Sequence, residues 1–249
     1  MIGQLETTFT GNLSVGQYNL TYCTCKALIY IDPLPPSEDL NAIYLDSTQF
    51  DNPIYTDPER ENAIVGYTSS CLKRILKARS VPLDRPVRVL EIGSGRAWMC
   101  RAAKQLDNSS KTVAQDISSE VSAICSWVDH YLVCEISDQR LDAPGPYDVI
   151  SLTHVIEHLP DPVAAVRRCK SLLAENGTIL LTAPYRPIGW ELGKGTIAQW
   201  QQYSYNHVPA HIQYFSRESM QRLAERADCN LSYWDDGADN GQAFEAWLG

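Results

Sequence analysis

From Pro86 onward, short apolar runs alternate with amphipathic segments, and this alternation restricts the fold more than any other feature of the chain. Runs suited to strands fall at 87–92, 111–116, 131–136, 147–153 and 178–183, with helical segments between most of them. Strand–helix–strand repetition predicts strands paired in parallel with helices over both faces. The segment after Pro160 shows the punctuation. Asp161 suits an N-cap, Pro162 the first helical position, Val163, Val166, Leu172 and Leu173 an apolar stripe, and Asn176-Gly177 a stop. A further helix is predicted over Ser216–Ala227, and strands at 230–234 and 242–248 suit an antiparallel edge hairpin.

The texture differs before residue 85. Pro33, Pro35, Pro36, Pro53 and Pro58 are interleaved with Tyr30, Tyr44, Phe50 and Tyr55, which reads as irregular chain. A helix is predicted from Glu59 to Ala78, with Ala63, Ile64, Tyr67, Cys71, Ile75 and Leu76 at helical spacing. The expected organisation is a leader and cap helix over 1–84, then an α/β domain over 85–249. The formal charge of -9 and the lack of a basic stripe argue against nucleic acid and for a small-molecule or protein partner. Met1–Leu20 is polar, and no apolar run approaches the ~20 residues of a bilayer span. Most of the eight cysteines sit in apolar stretches, so a reduced, cytoplasmic protein without a membrane partner is expected. Cys23 and Cys25 form one Cys-x-Cys pair with no second pair before it, which does not make a structural zinc site.

The first strand of the α/β region ends in Val89-Leu90-Glu91-Ile92-Gly93-Ser94-Gly95-Arg96-Ala97, and a helix follows at once. Glycines there let the backbone turn tightly and approach a ligand beside a helix amino terminus. The next strand ends at Asp116, 21 residues after Gly95. A carboxylate in that place can accept hydrogen bonds from two ribose hydroxyls. A nicotinamide or flavin site would want a third glycine at Trp98, because its pyrophosphate draws the helix close. S-adenosylmethionine has no phosphate and makes no such demand.

Glu91, Gly93, Gly95 and Ala97 together resemble the acid-x-Gly-x-Gly-x-Gly motif of class I S-adenosylmethionine-dependent methyltransferases, with Ala97 replacing the third glycine. The run Asp148-Val149-Ile150-Ser151-Leu152-Thr153-His154-Val155-Ile156-Glu157-His158-Leu159-Pro160-Asp161-Pro162 resembles the fourth-strand motif of the ubiquinone-biosynthesis-like branch (methyltransferase type 11/23). So does His211-Ile212-Gln213-Tyr214-Phe215-Ser216-Arg217-Glu218-Ser219-Met220. The segment from Tyr22 to Pro33 resembles the leader of a subgroup with a small cysteine-rich entry. The resemblance implies a Rossmann-like doubly wound sheet, mostly parallel, with an antiparallel C-terminal edge strand and an N-terminal cap segment. It implies the superfamily, and not a substrate.

On that resemblance Glu91, Gly93, Ser94 and Gly95 hold the methionine part, Asp116 the ribose and Ile117 one face of the adenine. Glu135 would lie near the adenine amine, with Asp138 as the alternative. Thr153 and His154 would line the floor under the sulfonium. The sulfonium is an activated donor, so alignment supplies much of the acceleration. A hydroxyl acceptor also needs a base, for which His154 and His158 are the first candidates, with His207 and His211 behind them. The insert at 185–214 carries Tyr185, Arg186, Trp190, Trp200, Tyr203, Tyr205 and Tyr214, a composition suited to a small-molecule pocket. Tyr185, Arg186, Trp190, Tyr203 and His207 are its candidate substrate-binding residues.

A divalent metal is a further expectation. His154, Glu157 and His158 form His-x-x-Glu-His, and on one helical turn they would share a face. Relatives that use a metal have acid, acid and histidine there, and some add a histidine where His211 stands. An imidazole at His154 in place of the first acid would favour zinc or iron over magnesium. The expected activity is methyl transfer from S-adenosylmethionine to a hydroxyl of a sugar or secondary metabolite. A small-RNA 3′-end 2′-O-methyltransferase and a noncatalytic cofactor-binding partner protein are the two alternatives.

Overall fold

A computed structural model describes residues 5–6, 19–23, 27–45, 57–191 and 195–249. Its first elements are β1 (Leu5–Glu6), β2 (Asn19–Cys23), β3 (Leu28–Asp32), α1 (Ser37–Tyr44) and α2 (Pro58–Ala78). The middle of the chain forms β4 (Arg88–Ile92), α3 (Trp98–Leu106), β5 (Lys111–Asp116), β6 (His130–Val133) and β7 (Tyr147–Thr153). There follow α4 (Pro162–Leu172), β8 (Leu173–Pro184), α5 (Ile197–Gln201), β9 (Gln213–Phe215), α6 (Arg217–Arg226), β10 (Leu231–Gly237) and β11 (Ala243–Leu248). The larger sheet has the order β10-β11-β8-β7-β4-β5-β6, and a smaller one the order β1-β2-β3-β9. This is an α/β fold, as the strand–helix alternation predicts, and Rossmann-like, as the family resemblance implies.

The chain groups into two compact units. The first comprises Tyr44–Thr153 and Arg167–Leu180 with Gly249. The second comprises Met1–Ile43, His154–Val166 and Leu181–Leu248.

In the first unit β4 pairs in parallel with β5 on one side and β7 on the other, and β5 pairs in parallel with β6. Val89, Leu90 and Ile92 of β4 are buried, as in a strand covered on both faces. The chain runs outward from β4 to β5 and β6, then returns to β7 on the far side of β4. That reversal is a topological switch point, where open α/β sheets leave a crevice at the carboxyl ends of the strands. The ends of β4 and β7 meet it with Gly93 and Thr153. Helix α2 starts on Asp57, whose carboxylate accepts from the Glu59 N–H, with Pro58 next. Its buried stripe is Val65, Thr68, Cys71, Leu72, Ile75 and Leu76. Ala63 and Tyr67, expected on that stripe, are exposed, so the buried face is rotated from the one the sequence predicts.

Helix α4 also ends earlier than expected. Asp161 receives the Ala164 N–H at 2.9 Å, but the helix stops at Leu172 and Gly177 lies within β8. Gly177 does not supply left-handed backbone there. A Cβ on it would stand 2.8 Å from both a Leu173 methyl and the Tyr147 carbonyl, so the glycine serves close packing.

In the second unit β2 pairs with β3, and β3 with β9, both antiparallel, with Leu28 opposite Phe215 and Tyr30 opposite Gln213. This stretch of the leader, read as irregular from its prolines, is therefore strand. β10 and β11 form the antiparallel hairpin expected at the C-terminal edge, with Trp234 opposite Ala246. Trp234 stacks on Phe244 at 4.6 Å and Tyr233 on Trp247 at 4.2 Å between ring centroids. Helix α6 begins on a reciprocal Ser216/Ser219 capping box. Among the described residues, no helix is long and apolar enough to cross a membrane. All the described cysteines are free thiols; Cys25 lies outside the described residues.

Candidate functional site

The glycine turn after β4 is built from left-handed backbone. Gly93 and Gly95 have φ of +56° and +45°, which suits glycine because no Cβ meets the backbone. Ala97, where the family motif has glycine, takes φ +52° at a cost of about 1–2 kcal/mol and is fully buried just before α3. Three successive N–H groups of the turn are fixed by β5. Gly93 donates to Gln115 Oε1 at 3.3 Å, Ser94 to the Gln115 carbonyl at 2.9 Å and Gly95 to Asp116 Oδ2 at 2.8 Å. Two of its carbonyls are held from the following segment. Tyr131 donates its hydroxyl to Gly95 O at 3.0 Å, and Trp127 its Nε1–H to Ala97 O at 2.9 Å. Arg96 and Arg101 both reach Glu61 Oε1 on α2, at 2.9 and 3.2 Å.

Asp116 stands at the end of β5, partly exposed. Its Oδ2 takes the Gly95 N–H and its Oδ1 the Ser118 N–H at 3.0 Å. Each carboxylate oxygen carries two lone pairs, so one on each is left for a hydroxyl donor. Glu91 is buried and accepts the Cys100 N–H at 3.1 Å, bracing the start of α3. Burial pushes its carboxyl up to about 7, against the pull of the Cys100 and Met99 N–H groups. Ile117 and Thr153 are half-buried, and Glu135 is exposed after β6. Asp138 bonds the Arg140 N–H at 2.8 Å and the Arg140 guanidinium. Gln115, which sequence reasoning passed over, also donates its amide to the Cys134 carbonyl.

Four of the five histidines lie in the second unit, three of them close to Glu157. Strand β7 ends at Thr153, and His154 follows with φ +53°. Ile156–His158 then form a 3-10 turn, so the His-x-x-Glu-His string is not the α-helical turn supposed from its spacing. It still converges on the carboxylate: His154 Nδ1 lies 3.4 Å and His158 Nε2 3.8 Å from Glu157 Oε1. Glu157 has 0% side-chain exposure, and neither of its oxygens takes a well-formed hydrogen bond. Burial raises its carboxyl, but the charges of His158, His154 and His211 and the approach of His154 outweigh that and hold it at about 2.

His158 and His211 have their tautomers set by backbone carbonyls. His158 Nδ1 is 2.9 Å from Ala210 O and His211 Nδ1 2.8 Å from Tyr205 O. A carbonyl only accepts, so each Nδ1 carries a proton, and in the neutral ring Nε2 is the nitrogen with the lone pair. Burial lowers the His211 imidazole to about 3, against the Glu157 charge, so it is neutral near pH 7. Glu157, His158 and His211 offer ligand atoms within 4.8 Å of one another. His154 has 38% side-chain exposure and stacks on Tyr205, with centroids 5.4 Å apart. His207 is exposed, with Nε2 2.8 Å from Ser204 O.

The insert's aromatics are for the most part its own core. Trp200 is buried against Trp190, Tyr203 and Tyr214, at centroid distances of 5.6, 5.6 and 4.9 Å. Tyr185 is half-buried, with the Arg186 guanidinium 4.7 Å above its ring.

A family model described as a methyltransferase domain matches residues 64–233, from α2 through most of the α/β elements. The chain belongs to this methyltransferase-domain family. Among its relatives is a ubiquinone biosynthesis O-methyltransferase of Xanthomonas campestris, 30% identical over 102 residues. That stretch is 38% of this chain and 42% of the relative, so the match spans under half of the relative's length. The Xylella fastidiosa protein of the same name is 26% identical over 187 residues, 61% of this chain and 74% of that one. In fold the chain is similar to the Burkholderia thailandensis 1,6-didemethyltoxoflavin-N1-methyltransferase, solved with 1,6-didemethyltoxoflavin and S-adenosylhomocysteine. The TM-score is 0.58 at 16% identity, covering 94% of this chain and 96% of that one. A methyltransferase in complex with the Haloferax volcanii Trm112 activator gives 0.56 at 12% identity, over 82% and 96%.

Proposed function

We propose that this methyltransferase-domain protein transfers a methyl group from S-adenosylmethionine to a hydroxyl of a small-molecule acceptor. The observation that carries the reading is the Gly93–Ala97 turn at the switch point, fixed by Gln115 and Asp116, with Asp116 keeping a lone pair on each oxygen. These residues fit the cofactor. Asp116 would hold the ribose hydroxyls, Gly93, Ser94 and Gly95 would let the methionine part approach the backbone, and Ile117 would cover the adenine, with Glu135 near its amine. Glu91 supports that turn by bracing α3 rather than by offering an unengaged oxygen. The cofactor supplies a methyl already activated on sulfonium, so the protein's share is alignment and removal of the acceptor proton.

His154 suits the proton step. Glu157 faces its Nδ1 and the Tyr205 ring stacks on it, so the imidazole is oriented with Nε2 as its basic nitrogen. The insert over 185–214 would form the acceptor side, with Tyr185 and Arg186 half-exposed over the Trp190–Trp200–Tyr203 core. The binding test is calorimetry with S-adenosylhomocysteine. Wild type should bind in the micromolar range, and Asp116→Ala should lose about 1.5–3 kcal/mol, roughly 10- to 100-fold. Unchanged affinity in the variant removes the ribose assignment, and tighter binding of a nicotinamide cofactor removes the whole reading.

A divalent metal is a second reading, favoured by one observation. Glu157 is a fully buried carboxylate whose oxygens lack good donors, facing two imidazoles whose Nδ1–H groups are bonded to backbone carbonyls. Glu157, His158 and His211 would hold such an ion, with His154 beside them. Two imidazoles and one carboxylate suit zinc or iron better than magnesium. A bound cation there would lower the pKa of an acceptor hydroxyl. Elemental analysis after reconstitution should find metal in wild type and none in His158→Ala, with S-adenosylhomocysteine affinity unchanged. Metal-free wild type after reconstitution leaves the cluster as a base and its supports.

A further inference from the structure

The turn joining β10 to β11 is tight and engaged. Asp239, Asn240 and Gly241 have φ of +44°, +56° and +84°, three successive left-handed residues of which two carry side chains. Successive positive φ values suit a tight hairpin turn, and Asp and Asn tolerate them best after glycine, so the turn holds a defined shape that its surroundings then anchor. The surroundings here are three consecutive residues of the aromatic insert. Tyr203 donates its hydroxyl to the Gln242 carbonyl, Ser204 donates to Gln242 Oε1 at 3.0 Å, and Tyr205 donates to Asp239 Oδ2 at 2.9 Å. The Gln242 carbonyl also accepts the Tyr185 N–H at 2.8 Å.

Tyr205 carries this anchorage to the histidines by two routes. Its ring stacks on His154 at 5.4 Å, with planes 17° apart. Its carbonyl accepts the His211 Nδ1–H at 2.8 Å and the Tyr214 hydroxyl at 3.1 Å. Burial, together with the Asp239 carboxylate, pushes the phenol above its usual range, so it remains a donor. One tyrosine thus connects a left-handed turn to two imidazoles near Glu157. We propose that Asp239 is a positioning residue: through the Tyr205 hydroxyl it fixes the placement of the His154 and His211 rings. The hairpin turn presents the Asp239 carboxylate, and Tyr205 transmits its position. The catalytic meaning of this device rests on the methyl-transfer reading; the device itself does not.

The test uses the full chain labelled with 15N-histidine and long-range imidazole spectra, which report ring tautomer and surroundings. Wild type should show His211 in the Nδ1–H form. Asp239→Ala and Tyr205→Phe should each displace the His154 and His211 signals, and the double variant should displace them no further, as coupled residues do. Asp239→Asn keeps an acceptor for the phenol and should retain the wild-type positions. His130, exposed at the start of β6, should not move in any of them. Unmoved His154 and His211 signals in Tyr205→Phe overturn the proposal, as do displacements that add in the double variant. Should Asp239→Ala fail to fold, Tyr205→Phe decides alone, since it keeps the ring and the backbone. Calorimetry with S-adenosylhomocysteine on wild type tests the methyl-transfer reading separately. Its failure with the histidine displacements intact would leave the positioning role and withdraw only its link to catalysis.

Discussion

Glu91 and Glu157 are both buried carboxylates, and their partners turn burial to opposite results. Glu91 has the Cys100 and Met99 N–H groups and the Cys100 thiol against its desolvation, and no cation, so its folded pKa rises from 4.5 to about 7. Between those values the native state binds more protons than the unfolded chain, and stability falls as pH rises through that window. The effect is on the order of 3 kcal/mol at full development. Glu157, ringed by histidines, goes down to about 2, so its contribution is present above 4.5 and is lost as pH falls from there toward 2. Glu91→Gln keeps an oxygen for the Cys100 N–H and removes the titration. Denaturant unfolding at pH 5 and pH 8 should show wild type losing stability toward pH 8 and the variant losing much less. Equal losses in both proteins would mean that Glu91 is not the group responsible. Of these residues, Glu91, Gly93, Gly95 and Asp116 stood out in the sequence because they match the family motif in spacing. Gln115, Glu61, Tyr205 and Asp239 did not. Their partners lie 22, 35, 34 and 34 residues away, and only the folded topology selects them.

At the scale of elements, strands buried on both faces were the easiest to read. β5 and β7 have the bounds expected from their apolar runs, because such strands need no alternation and end at polar or turn residues. β2 and β3 were hidden. They are five residues each; β3 runs straight into three prolines and pairs with a β9 of three residues nearly two hundred positions away. A helix stop was misplaced for a different reason. Asn-Gly usually marks left-handed backbone, yet Gly177 is required by the nearness of Leu173 and the Tyr147 carbonyl, a packing demand with no local signature. The His-x-x-Glu-His string carried a correct convergence on a wrong geometry. The left-handed His154 and a 3-10 turn bring the imidazoles to Glu157 where an α-helical turn was supposed. Residue spacing therefore pointed to the cluster, and the backbone path had to come from the structure.

At the scale of the whole molecule, the two units share secondary structure rather than a simple linker. The division falls inside α4, between Val166 and Arg167, and inside β8, between Leu180 and Leu181. Unfolding one unit while the other stays native would break a helix and a buried strand in mid-course and leave their backbone groups without partners. The chain should therefore unfold as one cooperative body. S-Adenosylhomocysteine, whose proposed contacts at Gly93, Ser94, Gly95, Asp116, Ile117 and Glu135 lie in the first unit, should then raise the melting of the whole chain. At 100 times its dissociation constant a native-state ligand contributes about 2.7 kcal/mol, which for a chain of this size is roughly 5–10 °C. Scanning calorimetry should show a single transition displaced upward by that amount, with no component left at the ligand-free temperature. A trace that splits, with one transition shifted and another unmoved, would show that the shared helix and strand do not couple the units.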